Sequence, residues 1–187
     1  MIITITGPSG SGKSSLVRIL KRKYKIKNIV TATTRQKRKR EKDGIDYHFL
    51  TEEEFSTTPM FESSTFGGNH YGTPEKDFFD ALADDFDNVY VTIVDRNGAR
   101  LLGKMVKVFT VYISVDPEFA YANVARRSGK REAKLRQKLD VENGLYISDS
   151  YDCILSNTMD TTKDELAYEF MNFVESRKAI NKYNLNS

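Results

Sequence analysis

The stretch Gly7-Pro8-Ser9-Gly10-Ser11-Gly12-Lys13-Ser14 constrains this chain more than any other. It has the spacing G-x-x-x-x-G-K-[ST], and both flanks suit it. Ile2, Ile3 and Ile5 form a short β-branched apolar run that reads as a buried strand. Ser15-Leu16-Val17-Arg18-Ile19-Leu20 opens a helix. Strand, glycine loop and helix N-terminus in that order make a phosphate cradle. The glycines let backbone N–H groups turn inward, and the helix end adds free donors and a partial positive charge. In such a loop Lys13 reaches the β- and γ-phosphates of a nucleoside triphosphate, and the Ser14 hydroxyl is a ligand for Mg²⁺. Residues Gly7 to Ser15 are therefore the candidate triphosphate site.

The rest of the chain supplies a context for that loop. Its 187 residues suit one domain, with 39% hydrophobic and 29% charged residues. The net charge of +3 is too small to point to nucleic acid or a membrane surface. One cysteine, Cys153, excludes an internal disulfide and fits a reducing compartment. No apolar run reaches membrane-spanning length, and no charged leader precedes an apolar segment, so a cytoplasmic location is expected.

Short apolar strands at 2–6, 27–32, 89–94, 107–115 and 151–155 alternate with helical segments at 13–23, 98–105, 117–130, 131–145 and 161–180. That alternation predicts an α/β fold, a parallel sheet with helices on both faces. Between the second and third strands lies an insertion of mixed character. Residues 46–50 and 60–66 read as extended there, and Gly67-Gly68-Asn69 as a turn. Thr51 with Glu54 reads as a capping box, and Pro74 as a helix start. Cys153 and the aromatic residues of 168–183 read as core, and the last few residues as disordered. Ligands of such sheets lie beyond the carboxyl ends of the strands, where the glycine loop, Arg35 and Asp95 all fall.

Residues of the insertion narrow the acceptor. Arg35, Arg38 and Arg40 lie close together, and arginine forks bind phosphate oxygens in bidentate fashion. Lys37, Lys39, Arg40 and Lys42 read as a solvated face. Tyr47 and Tyr71 offer hydroxyls on short strands. Glu62 sits in a mostly polar extended run. A carboxylate accepts side by side from the N1–H and N2–H₂ donors of guanine, whereas adenine presents an acceptor at N1 and is repelled. His48 and His70 read as structural or exposed.

Several segments resemble the guanylate kinase family. Gly7 to Leu16 is similar to its phosphate loop. Thr33-Thr34-Arg35 with Arg38, Glu41, Gly44, Asp46-Tyr47 and Phe49 has the spacing of its GMP-phosphate segment. Glu62 with Gly68-Asn69-His70-Tyr71-Gly72-Thr73 resembles its guanine-reading segment. Tyr151-Asp152 with Asn157 resembles its segment near the adenine of ATP. The resemblance implies a single domain over 1–187, with a core of 1–33, 84–117 and 147–187, a GMP-binding insertion at 34–83 and a helical lid at 118–146. It implies ATP, with Mg²⁺, as phosphoryl donor and GMP or dGMP as acceptor, with no nucleic-acid or membrane partner. A monomer and a homodimer are both compatible with it. Arg35, Arg38, Tyr47 and Tyr71 would hold the GMP phosphate, Glu62 and Thr73 the base, and Glu41 would orient the arginines. Lys13, Arg38 and Arg127 would be catalytic, and Asn157 would join the ATP site.

Three departures from the family pattern stand out. Thr31, expected on the GMP side, replaces a usual serine. Ile93 replaces the first of two usual aspartates, leaving Asp95 to face the nucleotide. In the lid, Lys138 falls where an arginine is usual, with Arg131 or Arg136 as substitutes. Two other functions fit parts of the pattern. A non-catalytic interaction module on this fold typically lacks the glycine loop and its lysine. A kinase for another small phosphorylated acceptor would lack the cluster of Glu62 with Tyr71-Gly72-Thr73.

Overall fold

A computed structural model describes residues 1–84, 87–148 and 150–185. The expected disorder of the chain end falls on Asn186 and Ser187, outside the described residues. Ile2–Thr6 (β1) is buried along its whole length and lies at the centre of a five-stranded sheet. After the glycine loop comes the helix Lys13–Tyr24 (α1), followed by Lys27–Asn28 (β2) and Ala32–Thr33 (β3). The insertion contains His48–Phe49 (β4), Glu52–Thr57 (α2), Met60–Phe66 (β5), Asn69–Pro74 (β6) and Glu75–Ala83 (α3). The chain then returns through Tyr90–Ile93 (β7), Arg96–Met105 (α4) and Val108–Val115 (β8). Pro117–Ser128 (α5), Lys130–Glu142 (α6), Cys153–Asn157 (β9) and Lys163–Leu185 (α7) complete it.

The main sheet has the order β2-β7-β1-β8-β9, with every pair parallel. Its two faces bury separate apolar clusters. Ile3 and Ile5 pack with Leu16, Leu20, Phe170 and Val174, which seats α1 and α7 on one face. Ile2 packs with Phe78, Ala81, Ala99 and Leu102, which seats α3 and α4 on the other. The connection from β1 runs to β2 on one side of the sheet and that from its neighbour β8 runs to β9 on the other, so a crevice opens beyond the carboxyl ends of this pair. The glycine loop occupies that crevice.

The stretch 27–32, expected as one strand, is divided between two sheets. The Ile29 N–H donates to the Val91 carbonyl in the main sheet, whereas the Thr31 carbonyl already accepts from His48 N–H in the small one. The small sheet runs β4-β3-β6-β5. Its hairpin closes at Gly67 and Gly68, with φ of 60° and 74°, where glycine avoids the cost of the left-handed conformation. The expected capping box at Thr51 and Glu54 is formed in both directions.

Other boundaries move for identifiable reasons. The last strand starts at Cys153, because Asp152 spends its carboxylate on the Thr110 N–H and hydroxyl and ends the ladder there. The helix expected from Gly98 starts at Arg96, capped by Asp95, whose Oδ1 accepts from Gly98 N–H at 2.7 Å. Pro74 ends β6, and α3 begins only at Glu75. The final helix begins at Lys163, after a reciprocal Thr162–Glu165 cap. Within it Phe170 and Val174 are fully buried, but Tyr168 and Tyr183 are 61% and 75% exposed, contrary to their reading as core. A helix on a sheet buries one stripe, and those tyrosines lie off it. Cys153 is half-buried against the α7-side core rather than enclosed in it.

Phe170→Ala should therefore lower unfolding free energy by about 3–5 kcal/mol in urea titration. Tyr168→Ala, two residues away on the solvent side, should change it by no more than about 0.5 kcal/mol.

Candidate active site

The phosphate loop is built against its neighbours on three sides. Gly10 and Gly12 have φ of 84° and 99°, and neither has room for a side chain. A Cβ on Gly10 would lie 2.3 Å from the Ala120 carbonyl oxygen, and one on Gly12 would lie 3.0 Å from Asn157 Nδ2. Asn157 donates to the Ser11 carbonyl at 2.9 Å, so it braces the loop from behind. Inside the loop, the Pro8 carbonyl accepts from Ser11 N–H, and Lys13 Nζ donates to the Gly7 and Pro8 carbonyls. Burial pushes the Lys13 ammonium down to about 8, opposed by the charge of Asp140 and aided by those of Arg127 and Arg136. Gly7, Ser9, Gly10, Gly12, Lys13, Ser14 and Ser15 face the cleft, while Pro8, Ser11 and Asn157 support it without lining it.

Across the cleft, the small sheet carries the arginines. Arg35 is 8% exposed, and its guanidinium carbon lies 5.5 Å and 5.6 Å from the Tyr47 and Phe49 ring centres. Glu41 accepts from Arg35 Nη2 at 3.0 Å through each oxygen, and from the backbone N–H and Nη1 of Arg38 at 2.8 and 3.1 Å. Burial would raise the Glu41 carboxyl, but these donors and the two guanidinium charges bring it below its ordinary value. Glu41 itself does not line the cleft; Arg35, Arg38, Tyr47 and Tyr71 do. Tyr47 and Tyr71 meet edge to face, with ring centres 6.2 Å apart.

Deeper in the same cleft is a buried carboxylate. Glu62 is 7% exposed, and its Oε1 accepts from the Thr73 hydroxyl at 2.7 Å. The hydroxyl uses its proton on Glu62, so Thr73 sits behind the carboxylate and not on the cleft surface. Burial, reinforced by the charge of Asp95, raises the Glu62 carboxyl above its ordinary value. Gly98 makes room for it, since a Cβ there would lie 2.8 Å from Oε2. That glycine carried no signal in the sequence. Thr31, Ile93 and Asp95 complete this end of the cleft. Asp95 lines it while capping α4, so part of its acceptor capacity is already used.

The helical pair α5 and α6 closes the third side. Arg127 and Arg136 both face the cleft. Desolvation, then the charges of Arg38 and Arg136, push the Arg127 guanidinium down to about 10, still cationic at neutral pH. Arg136 Nε donates to Glu132 Oε1 at 2.6 Å. Burial would lower Arg136, but Glu132 and Tyr71 hold it above its ordinary value. Lys138, placed by spacing in the arginine position, is exposed and lies 3.6 Å from Glu142. Two residues along a helix turn a side chain by about 200°, so Lys138 and Arg136 point to opposite faces. Arg131 is exposed as well. One further cleft residue went unnoticed in the sequence: Asp140, 1% exposed, accepts from Ser9 N–H at 2.8 Å and from Ser9 Oγ at 3.1 Å.

A glycine loop at the switch point of a parallel sheet, faced by arginines from an insertion and from a helical pair, defines a phosphate-loop nucleotide kinase. Among the described residues no helix is long and apolar enough to cross a membrane. The chain belongs to the guanylate kinase family, whose model, described as "Guanylate kinase", matches residues 1–172. The guanylate kinase of Onion yellows phytoplasma is 30% identical over 169 residues, covering 84% of this chain and 78% of that protein. The guanylate kinase of Chlorobium luteolum is 28% identical over 187 residues, covering 95% and 94%. The crystal structure of guanylate kinase from Anaplasma phagocytophilum shares the fold, with a TM-score of 0.64 at 24% identity over 95% of this chain and 85% of its own. The family's reaction, transfer of a phosphoryl group from ATP to GMP to give ADP and GDP, is the reaction of this enzyme.

The Glu41 cluster sets a pH dependence. A depressed carboxyl stabilises the fold above its unfolded value, near 4.5, and that contribution disappears as pH falls through the lower folded value. Glu41→Gln should therefore be less stable than the wild type at pH 7 by about 1–3 kcal/mol. In urea titrations the gap should narrow progressively below pH 4.5.

Proposed function

We propose that the two sides of this cleft divide the reaction between them, with the phosphate loop holding ATP and the insertion holding GMP. The observation that carries this assignment is the convergence on one cleft of the loop, the Arg35–Glu41–Arg38 cluster and the buried Glu62–Thr73 pair. Glu41 spends its oxygens on the two arginines, which presents their remaining N–H groups to the GMP phosphate along with the Tyr47 and Tyr71 hydroxyls. Thr73 occupies one oxygen of Glu62 and leaves Oε2 to accept from guanine. Thr31 and Asp95 flank the base and its sugar.

Magnesium fits this donor set as an ion carried in with ATP. No cluster of three or more acidic, histidine or cysteine side chains could cage it among the described residues. Mg²⁺ commonly binds through one or two protein oxygens plus substrate phosphates and water, and the Ser14 hydroxyl can be one of those oxygens. When bound, the ion offsets charge on the phosphates. Lys13 leaves the Gly7 and Pro8 carbonyls for the triphosphate, which returns its charge to full use. Arg38, Arg127 and Arg136 surround the transferring group from the insertion and the lid. No general base is required, because the attacking GMP phosphate oxygen is already ionised. Closure of the insertion at 34–83 and the lid at 118–146 over the core excludes water, so that the acceptor rather than water receives the phosphoryl group.

Supplying ATP·Mg²⁺ with GMP, dGMP, AMP, CMP and UMP in turn, and following ADP, tests the base assignment. GMP and dGMP should react, and AMP at a rate near that of GMP would overturn the role of Glu62. Glu62→Gln and Gly98→Ala, which attack the same carboxylate from different sides, should each raise the KM for GMP roughly tenfold or more. The KM for ATP should stay within about twofold. Lys13→Ala should lower kcat by roughly 10²–10³.

A further inference from the structure

Asp140 is placed where a carboxylate is hard to keep. It is 1% exposed and sits in the last turn of α6, where the helix dipole opposes negative charge. Ser9 meets it with two donors, the N–H on Oδ2 and the hydroxyl on Oδ1, and the charges of Lys13 and Arg136 lie nearby. Helix α5 also touches the loop. Asn123 Nδ2 donates to the Gly10 carbonyl at 3.1 Å, and Ala120 packs on Gly10. That helix follows directly from β8, so the core already fixes its start. Helix α6 is one connection further out, and Asp140 ties it to the loop through Ser9.

Arg136 stands four residues before Asp140, one turn away on the same face, and Glu132 another turn before that. Glu132 holds the Arg136 guanidinium by its Nε, and the Tyr71 hydroxyl meets it on the side that lines the cleft. An anchor at position 140 therefore fixes both the height and the rotation of the arginine above the loop. We propose that Asp140 is a positioning residue for phosphoryl transfer: by accepting from the Ser9 N–H and hydroxyl it latches α6 onto the phosphate loop and sets Arg136 against the transferring group. This rests on the assignment of Arg136 to that group made above.

The latch predicts coupling between the two side chains rather than a general loss of stability. Asp140→Asn keeps the shape and one acceptor, and it should lower kcat about tenfold, equivalent to losing a charged hydrogen bond. The KM for GMP should stay within about twofold. Arg136→Ala should lower kcat further, and the double variant Arg136→Ala/Asp140→Asn should be no slower than Arg136→Ala alone, because the latch has then nothing left to position. Ser9→Ala, which removes one donor from the other side, should lower kcat a few-fold and should not add to Asp140→Asn. Thermal unfolding with and without GMP shows that each variant is folded.

Multiplicative losses in the double variant, or an Asp140→Asn enzyme with unchanged or higher kcat, would overturn the latch. An increase in particular would mean that the carboxylate competes with the incoming phosphate for Ser9. If the wild type phosphorylates GMP but Arg136→Ala is as fast, the placement of Arg136 is what fails, and the double-variant comparison identifies that case separately.

Discussion

Mutual repulsion among cations is the constraint on which this structure depends. Lys13, Arg35, Arg38, Arg127 and Arg136 line one cleft, from three separate parts of the chain. Partial desolvation strengthens every repulsion between them, since the local dielectric is far below that of water. The fold answers with a small number of carboxylates placed among the cations and their loop. Glu41 joins Arg35 and Arg38, Glu132 holds Arg136, and Asp140 receives Ser9 while facing Lys13. Lys13 is also held by the carbonyls of its own loop. Two phosphate-bearing substrates, a nucleoside triphosphate and a monophosphate, are what this excess of positive charge is complementary to. The same cations that destabilise the empty cleft attract and align the nucleotides.

The acidic side chain at the far end of the cleft obeys a different rule. Among the described residues no cation is a close partner of Glu62, which is kept by donors of Thr73 and by the absence of a side chain at Gly98. Its raised carboxyl reflects a group waiting for donors, which suits recognition of a neutral base edge. The cleft thus runs from a cationic end to an acidic end, the gradient on which the proposed placement of phosphates and base rests. Sheet topology makes that gradient possible. The loop leaves the end of β1, Asp95 leaves the end of the neighbouring β7, and the small sheet is grafted between them.

The parts of the site that were legible in the sequence are local ones. The phosphate loop, Arg35, Arg38, Glu41, Tyr47, Glu62 and Tyr71 each belong to a short segment whose spacing carries the chemistry. The parts that were not legible depend on two segments meeting. Lys138 occupied the arginine position by linear spacing, yet helical phase gave that place to Arg136. Asp140 belongs to no motif of its own segment and gains a partner only where the fold sets it against Ser9. Gly98 was read only as the start of a helix, and the reason for a glycine there lies in a carboxylate 36 positions earlier. The stretch 27–32 read as one strand because alternation says nothing about which sheet a residue joins.

By itself, the sequence determined the alternation of strands and helices and the phosphate loop with its lysine and hydroxyl, and it singled out the arginines, tyrosines and glutamate that line the same cleft. Those follow from short-range physics: backbone freedom at glycine, apolar periodicity, and the pairing of fork-shaped donors with phosphate oxygens. Only the tertiary structure decided which arginines of α5 and α6 line the cleft, which carboxylate of α6 meets the loop, and how the buried glutamate finds room. Those depend on helix rotation and on contacts between residues as much as 131 positions apart, as for Ser9 and Asp140. Packing of the whole chain fixes such contacts, and no local pattern encodes them.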